Sequence, residues 1–300
     1  MKILVLGGSG MLGHKMYQMA REHYETYVSF RENDLRWSTH PAFSGLADTH
    51  ALIGVNALRF ETVIHALNIA KPDVVINCIG LIKQRNDPNP DTTAIQLNAL
   101  FPHQLADVCQ LNGVRLIHFS TDCVFSGARG HYVEEDPPDP VDLYGRTKLL
   151  GEVDRPGCFT VRTSIVGWEL KHSTSLLQWF RSRRGHAIQG YRHAIYTGLS
   201  ARVLSELVLD VIGTWTTMSG IYHVASKPIS KYDLLVRIRD VLGWHDFPIE
   251  PNESFRCDRS LIAARFEAET GWKAPEWDLM IRDLAAEQRI YEEWRRTPVA

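Results

Sequence analysis

The sequence lacks any long apolar run. No segment reaches the ~18 consecutive apolar residues that a membrane-spanning helix needs, so we predict no association with a membrane. The first apolar run, residues 3–6, ends in glycines and is shorter than the ~7–15 residues typical of the apolar part of a secretion signal. From these two absences we expect a protein of the cytoplasm.

Cysteine is scarce and scattered. The chain has five cysteines with no CxxC spacing, and Cys78 and Cys158 lie beside apolar, strand-like segments. An odd, dispersed set does not predict a disulfide framework, and we therefore expect buried free thiols in a reducing compartment. The 13 histidines show no metal-ligand spacing such as HExxH, so we expect no metal site.

The chain also lacks an excess of charge of either sign. Its net charge is −2, whereas nucleic-acid-binding proteins usually carry a clear basic surplus, so we expect no nucleic-acid partner. The short basic cluster at 181–186 is typical of a solvated helix end.

Apolar runs and helical patterns alternate through the first half of the chain. The strand-like runs are 2–6, 25–30, 72–80, 114–122 and 159–167, and the helical patterns between them are 11–23, 61–70, 97–113 and 143–153. This alternation predicts an α/β fold with a doubly wound parallel sheet and right-handed crossovers. We expect 1–167 to bind a dinucleotide and carry the catalytic residues, and 168–300 to form mainly a smaller α/β substrate lobe, with an approximate boundary.

A glycine-rich turn, GGSGMLG at 7–13, stands between the first strand and the first helix. Gly8, Gly10 and Gly13 match GxGxxG, and starting at Gly7 gives GxxGxxG. Glycines here permit a tight turn and close approach of the backbone to a pyrophosphate, which the helix N-terminus then faces. The alternative is a tight turn without a ligand. The contacts that we expect from this turn are Gly7, Gly10, Met11, Leu12 and Gly13.

The end of the second strand indicates which dinucleotide binds. An NAD site usually has Asp or Glu there, but this chain has Ser29 and Phe30 followed by Arg31. A guanidinium suits a 2′-phosphate, which favours NADPH over NADH, although Glu32 blurs the pattern and Arg31 could be a solvated loop residue. At the end of the strand over 72–80 we expect further cofactor contacts from Asn77, Cys78 and Gly80.

Hydroxyl groups and a lysine follow in the order that a carbonyl reductase needs. Ser120 and Thr121 end a central strand, at the sheet edge where ligands of such folds bind. Tyr144 and Lys148 lie one helical turn apart, so they share a helix face. An ammonium near the phenol would lower the pKa of Tyr144, which makes Tyr144 a candidate general acid and Thr121 a second contact to the carbonyl oxygen.

These motifs together resemble the extended short-chain dehydrogenase/reductases, and more narrowly the dTDP-4-dehydrorhamnose reductase group. The motifs that carry the resemblance, in order, are GGSGMLG (7–13), STDCVFSG (120–127), the spaced residues Tyr132, Glu134, Asp136, Pro138 and Pro140, LYGRTKLLGE (143–152) and VRTSIVG (161–167). The resemblance covers nearly the whole chain. It implies a Rossmann fold and NAD(P)H-dependent reduction of the C4 ketone of a nucleotide-linked deoxysugar, for synthesis of cell-surface polysaccharide precursors.

The resemblance also implies roles for particular residues. Thr121, Tyr144 and Lys148 would form a catalytic triad. Tyr144 and Lys148 would also contact the cofactor, with Lys148 holding the nicotinamide ribose. The residues that we expect at the substrate are Lys83, Thr121, Asp122 and Ser164. Lys83 and Arg85 could hold a substrate phosphate or only coat their loop, and Arg202 and Arg259 resemble phosphate ligands by position alone.

Some features leave the substrate and the activity open. The enzymes of that group have tyrosine where this chain has Cys123, so a UDP-linked 4-keto-6-deoxy-N-acetylhexosamine is as plausible as dTDP-4-keto-rhamnose. A nucleotide-sugar epimerase and a non-catalytic dinucleotide-binding subunit are the alternative functions. A homodimer is expected only because homo-oligomers with two-fold symmetry are the commonest assemblies.

Overall fold

The computed structural model describes residues 1–32, 37, 39–82, 90–171 and 174–296. The strands in this part of the chain are β1 (Lys2–Leu6), β2 (Glu25–Ser29), β3 (Ala51–Leu52), β4 (Val74–Asn77), β5 (Arg115–Phe119), β6 (Cys158–Arg162), β7 (Ile165–Val166), β8 (Ile188–Tyr196), β9 (Leu199–Ser200), β10 (Gly220–His223), β11 (Ile229–Ser230) and β12 (Ile249–Asp258).

The α-helices in the same residues are α1 (Met11–Ala20), α2 (Phe60–Ala70), α3 (Pro90–Ala94), α4 (Phe101–Leu111), α5 (Leu143–Leu150), α6 (Leu176–Ser182), α7 (Ala201–Gly213), α8 (Lys231–Leu242), α9 (Ala264–Thr270) and α10 (Trp277–Arg296). A π-helical turn, Ile95–Leu100, joins α3 to α4. Within the described residues, none of these helices combines the length and the apolar character that crossing a bilayer requires.

Seven strands form one sheet in the order β10-β6-β5-β4-β1-β2-β3. Every pairing between neighbours in it is parallel, which confirms the predicted doubly wound α/β fold. The strand order reverses between β1 and β4, and ligands of open α/β sheets bind at such a reversal, beyond the carboxyl ends of the strands. The glycine turn follows β1, and Cys78 follows β4, so the sequence places both at this edge.

Alternation along β1 shows why the sheet is covered on both faces. Ile3 and Val5 belong to the core on one face, together with residues of α1 and α7. Leu4 and Leu6 belong to the core on the other face, with residues of α2 and α4. Successive strand residues point to opposite faces, so an uninterrupted apolar run such as KILVL buries both.

A second, three-stranded sheet has the order β11-β8-β12. β8 runs antiparallel to β11 and parallel to β12, and α8 packs against it. The sequence patterns did not predict β8 or β12. β7 and β9 form a short two-stranded parallel ribbon.

The two parts of the chain interleave. β10 lies after residue 167 but joins the large sheet beside β6, and α7 packs against α1. The division into a dinucleotide-binding part, 1–167, and a substrate-binding part, 168–300, therefore stays a prediction about function rather than a boundary in the fold.

Candidate active site

The glycine turn brings the backbone close to the N-terminus of α1. The Gly7 amide donates to Ser29 Oγ at 3.0 Å, and the Gly10 amide donates to the Gly7 carbonyl at 3.1 Å. A Cβ on Gly13 would lie 2.1 Å from the Gly7 oxygen, so only glycine allows this approach. The first turn of α1 contains no acidic residue. The end of the helix can therefore accept an anion such as a pyrophosphate.

A cleft of about 570 Å³ lies at this edge of the sheet. Of the predicted cofactor contacts, those that line it are Gly7, Gly10, Arg31, Cys78 and Gly80. Met11, Leu12, Gly13 and Asn77 do not line it: Leu12 and Asn77 are buried, Met11 begins α1, and Gly13 packs against the Gly7 backbone. The side-chain amide of Asn77 is already hydrogen-bonded: its nitrogen lies 3.2 Å from His118 Nδ1, and its oxygen accepts from the Ile79 amide.

Groups of both signs line the part of the cleft beside β2. Arg31 and Glu32 both line it, and one Glu32 carboxylate oxygen is buried without a hydrogen-bond partner in the described residues. Lys171, which the sequence did not indicate, lines the same cleft and lies over the Trp37 ring, 5.9 Å from its centroid. Two cations beside one carboxylate favour a ligand that carries an extra phosphate at this position.

The proposed proton donor lies on α5, which Asp142 caps by accepting a hydrogen bond from the Gly145 amide at 2.8 Å. A Cβ on Gly145 would lie 2.2 Å from the Cys123 carbonyl oxygen, so this glycine lets α5 approach the segment that carries Thr121. Tyr144 and Thr121 are hydrogen-bonded through their side chains. The structure thus brings two of the predicted catalytic groups together.

Burial raises the pKa of Tyr144 above its ordinary value, Cys123 adds to this, and the Thr121 hydrogen bond opposes it. The sequence-based expectation was the opposite, that Lys148 lowers the pKa of Tyr144. The expectation is wrong because burial of the phenol has the largest effect on the pKa of Tyr144. A phenol with a raised pKa stays protonated at neutral pH, which is the form that a proton donor requires.

Lys148 is almost completely buried, and its Nζ donates to the Phe119 carbonyl at 2.5 Å. Burial lowers the pKa of Lys148 to about 8, while the nearby Glu152 carboxylate opposes that change. The ammonium is thus held at the carboxyl end of β5, on the same helix face as Tyr144.

Three of the four predicted substrate residues, Thr121, Asp122 and Ser164, form one hydrogen-bonded group. Ser164 Oγ donates to one Asp122 oxygen at 2.6 Å, and Thr121 Oγ1 donates to the other at 3.2 Å. Lys83 and Arg85 lie outside the described residues.

Several residues in this region were missed or only weakly indicated by the sequence. Lys231 and Tyr196 both interact electrostatically with Asp122 and Cys123, although they come from distant strands and helices. Arg259 Nη1 approaches Cys123 Sγ at 3.5 Å, whereas Arg202 is exposed and pairs with Glu206 on its own helix. Only proximity in the fold, not spacing in the chain, unites this group.

Comparison of the sequence with models of known protein families identifies the family of this chain. The model described as the RmlD substrate binding domain matches residues 1–289. The chain belongs to this family. Membership confirms the resemblance that the motifs predicted.

Curated relatives of the RmlD-family chain differ in how much of it they share. A probable low-salt glycan biosynthesis reductase of Haloferax volcanii is 27% identical over 98% of this chain and 99% of its own length. The methionine adenosyltransferase 2 subunit beta of Mus musculus is 33% identical over 50% of this chain. A dTDP-4-keto-6-deoxy-D-glucose reductase of Streptomyces niveus is 29% identical over 50%. The chain spans 41% and 45% of these last two relatives.

Solved structures share the fold over nearly the whole chain. A dTDP-4-dehydrorhamnose reductase of Bacillus anthracis, in complex with NADP, has a TM-score of 0.75 at 21% identity, covering 95% of this chain and 99% of that one. A UDP-glucose 4-epimerase of Thermotoga maritima, with UDP-glucose, has a TM-score of 0.76 at 15% identity, covering 97% and 99%. Both a reductase and an epimerase therefore share this architecture.

Proposed function

We propose that this protein reduces the C4 ketone of a nucleotide-linked 6-deoxyhexose with NADPH, in the synthesis of polysaccharide precursors. The observation that carries the proposal is the hydrogen-bonded pair Tyr144 and Thr121, one helical turn from Lys148 at the sheet edge that also holds the glycine turn. Relatives named as reductases of a dTDP-linked keto sugar and of glycan synthesis support the same chemistry.

The cleft residues fit a dinucleotide in its usual orientation. The N-terminus of α1 and the glycine turn would hold the pyrophosphate, and Arg31 with Lys171 would hold a 2′-phosphate. The chemistry that NADPH would supply when bound there is a hydride for the ketone carbon. The NADP complex of the Bacillus anthracis protein supports NADPH, with NADH as the weaker alternative.

The catalytic groups of the chain manage the proton. Tyr144 donates its phenolic proton to the carbonyl oxygen as that oxygen gains negative charge, and water later returns a proton to the phenolate. Thr121 orients the same oxygen. Lys148, held by the Phe119 carbonyl, lies one turn further along and stabilises the phenolate after the transfer.

The proposal also covers where the protein is located and how it assembles. No disulfide bond joins any of the five cysteines, all of which lie in the described residues, and this supports the proposed cytoplasmic location. A homodimer remains an expectation.

The deciding experiment measures NADPH consumption with dTDP-, UDP- and GDP-linked 4-keto-6-deoxyhexoses, including N-acetylated ones. Replacing Tyr144 with phenylalanine should lower turnover by a factor of about 10²–10⁴ with nearly unchanged NADPH affinity, because the proton donor is lost and the ring is kept. Tyr191→Phe is the matched control, since Tyr191 is exposed in the second sheet. Equal turnover in wild type and Tyr144→Phe would refute the mechanism.

Two outcomes would favour the alternatives. Interconversion of sugar epimers without net NADPH consumption would indicate an epimerase, whose fold this chain shares. Cofactor binding without turnover of any sugar would favour a regulatory subunit, an alternative that the subunit beta relative supports.

A further inference from the structure

Cys123 differs from the other four cysteines in its surroundings. Burial raises the pKa of Cys78 and of Cys158, and it raises the pKa of Cys109 to about 12, so these three thiols stay protonated at neutral pH. Cys257 is partly exposed, but its Sγ donates to a backbone carbonyl at 3.9 Å, a contact that only the thiol form makes. None of these four surroundings favours a reactive thiolate.

Cys123 is partly exposed, and its sulfur lies against a cation. Arg259 Nη1 donates to Cys123 Sγ at 3.5 Å, and Lys231 also interacts electrostatically with this cysteine. Neither cation forms an ion pair with a carboxylate in the described residues. Asp122 opposes a negative sulfur, but its oxygens already accept hydrogen bonds from two hydroxyl groups. A thiol beside cations loses its proton more readily, and the thiolate is the nucleophilic form.

Tyr196 brings a hydrogen-bond donor to the same thiol. It is 6% exposed, and its hydroxyl is buried with no hydrogen-bond partner in the described part of the chain. A Cβ on Gly198 would lie 2.3 Å from this hydroxyl and 2.6 Å from the Ser164 carbonyl, so the hydroxyl lies beside the segment that binds Asp122. Cys123 interacts electrostatically with it. Buried hydroxyls are usually satisfied, and an oxygen added to Cys123 Sγ would supply the missing acceptor.

The backbone of Cys123 contacts both segments that carry the proposed catalytic groups. Its amide donates to Thr121 Oγ1 at 3.2 Å. A Cβ on Gly145, which follows Tyr144, would lie 2.2 Å from the Cys123 carbonyl oxygen. Cys123 also acts electrostatically on the Tyr144 phenol. A group added to the sulfur would therefore occupy space beside the proton donor.

We propose that Cys123 is a modification site, at which peroxide oxidises a thiolate held by Arg259 and Lys231 to a sulfenic acid that blocks the active site. The thiolate attacks one oxygen of the peroxide, so that an S–O bond forms while the O–O bond breaks. Sulfur loses two electrons to the peroxide, and the other oxygen departs as hydroxide. The Tyr196 hydroxyl then donates to the oxygen on sulfur. The proposal goes beyond the proposed function, since it concerns control of the site.

Alkylation by iodoacetamide at pH 7, followed for each cysteine by mass spectrometry, tests whether the thiol is activated. Cys123 should react at least about fivefold faster in the folded protein than in the urea-unfolded chain, although folding partly covers it. The other four cysteines should react more slowly in the folded protein, because folding shields an ordinary thiol. A folded-state rate for Cys123 at or below its unfolded-state rate would overturn the proposal. The comparison uses wild type without substrate, so it holds whether or not the protein reduces a keto sugar.

Variants test whether the cations cause the activation. Arg259→Met should slow alkylation of Cys123 at least about fivefold and Lys231→Met severalfold, whereas Arg259→Lys should keep most of the rate because the charge remains. Arg202→Met, at an exposed pair with Glu206, is the control for lost positive charge and should not change the rate. NADPH affinity within twofold of wild type shows that a variant is folded. Wild-type alkylation rates in folded Arg259→Met and Lys231→Met would refute the role of the cations.

Hydrogen peroxide tests the consequence for activity. Treated wild type should lose most of its NADPH-dependent turnover and regain it with dithiothreitol, and dimedone, which reacts with sulfenic acids, should label Cys123. Cys123→Ala, compared with its own untreated activity, should resist the same treatment. Equal loss in wild type and Cys123→Ala, or no dimedone label on Cys123, would overturn the proposal. If the protein reduces no keto sugar, a dimedone label on Cys123 still establishes the thiol site while the proposed reductase falls.

Discussion

Lys148, a proposed catalytic residue, lowers the stability of the folded chain because its charge is buried. Its side chain is 5% exposed, and burial disfavours its charged form. Its ammonium donates a hydrogen bond to the Phe119 carbonyl. Two titratable groups face it from the surrounding elements, Glu152 after α5 and His118 on β5, and burial together with Lys148 keeps the pKa of His118 well below its ordinary value. The net result is a pKa of about 8 for Lys148 instead of 10.5.

This difference predicts a pH-dependent stability. Below pH 8 the lysine is protonated in both the folded and the unfolded chain, so the full penalty of burying its charge is present. Between about 8 and 10.5 the folded chain has lost the proton and the unfolded chain has kept it, so stability rises with pH. Replacing Lys148 with methionine should therefore raise the free energy of unfolding relative to wild type at pH 7. That advantage should shrink by about 3 kcal/mol as the pH approaches 10.5.

Urea unfolding of both proteins at pH 7 and at pH 10 measures the effect. A free-energy difference that does not change between the two values would show that the pKa of Lys148 is not lowered.

At the residue scale, sequence reasoning found the groups that share one element or one motif. Tyr144 and Lys148 could be paired because helical spacing places them on one face of α5. Thr121 could be added because it follows the end of β5, at the edge where ligands bind. Lys231 and Tyr196 could not be predicted as site residues. They lie on α8 and β8, and only the tertiary fold brings these elements near Asp122.

At the scale of elements, a buried ionic network fixes the end of α5 to the sheet. Glu152 follows α5 and binds Arg162 of β6 through both carboxylate oxygens, and Ser120 Oγ donates to the same carboxylate at 2.6 Å. Arg162 continues to the His223 ring on β10, at 3.2 Å. The network therefore joins two neighbouring strands to the helix that carries the proposed proton donor.

Breaking the network should cost far more than breaking a surface pair. Arg162→Met leaves the Glu152 carboxylate buried without its counterion, which should lower the free energy of unfolding by about 3–5 kcal/mol. Glu152→Gln combined with Arg162→Met removes that charge, so the double variant should be more stable than Arg162→Met alone. Arg184→Met, at an exposed pair with Asp246, is the control and should cost less than about 1 kcal/mol.

Urea denaturation of the four proteins gives these differences. Equal losses for Arg162→Met and Arg184→Met would contradict the idea that the network anchors the helix.

Elements were predictable where burial imposed a simple pattern. The strands of the large sheet are continuous apolar runs because both faces are covered. β8 and β12 were missed because they are mixed: β8 alternates irregularly between buried and exposed residues, and most of β12 is exposed. The helix expected at 97–113 begins instead as a π-helical turn, Ile95–Leu100, since apolar spacing alone does not separate that turn from an α-helix.

At the scale of the whole molecule, the last helix supports the first turn. His14 of α1 is fully buried, and its Nδ1 donates to the Gly10 carbonyl at 2.7 Å. Burial lowers the pKa of His14 to about 3, so the ring is neutral at pH 7 and its Nε2 accepts a hydrogen bond. The Tyr291 hydroxyl of α10 donates that bond at 2.6 Å. No motif indicated this link, because its two residues stand near opposite ends of the chain.

Tyr291→Phe tests whether the link stabilises the molecule. The substitution keeps the buried ring and removes only the hydroxyl, which leaves His14 Nε2 buried without a donor. Such an unsatisfied group costs about 1–3 kcal/mol, so the midpoint of urea unfolding should fall while its slope stays the same. Tyr191→Phe, at an exposed ring, should leave the midpoint unchanged. Because His14 also holds the Gly10 carbonyl, the affinity of Tyr291→Phe for NADPH should fall with its stability. A loss of stability with unchanged NADPH affinity would show that α10 supports the core but not the dinucleotide turn.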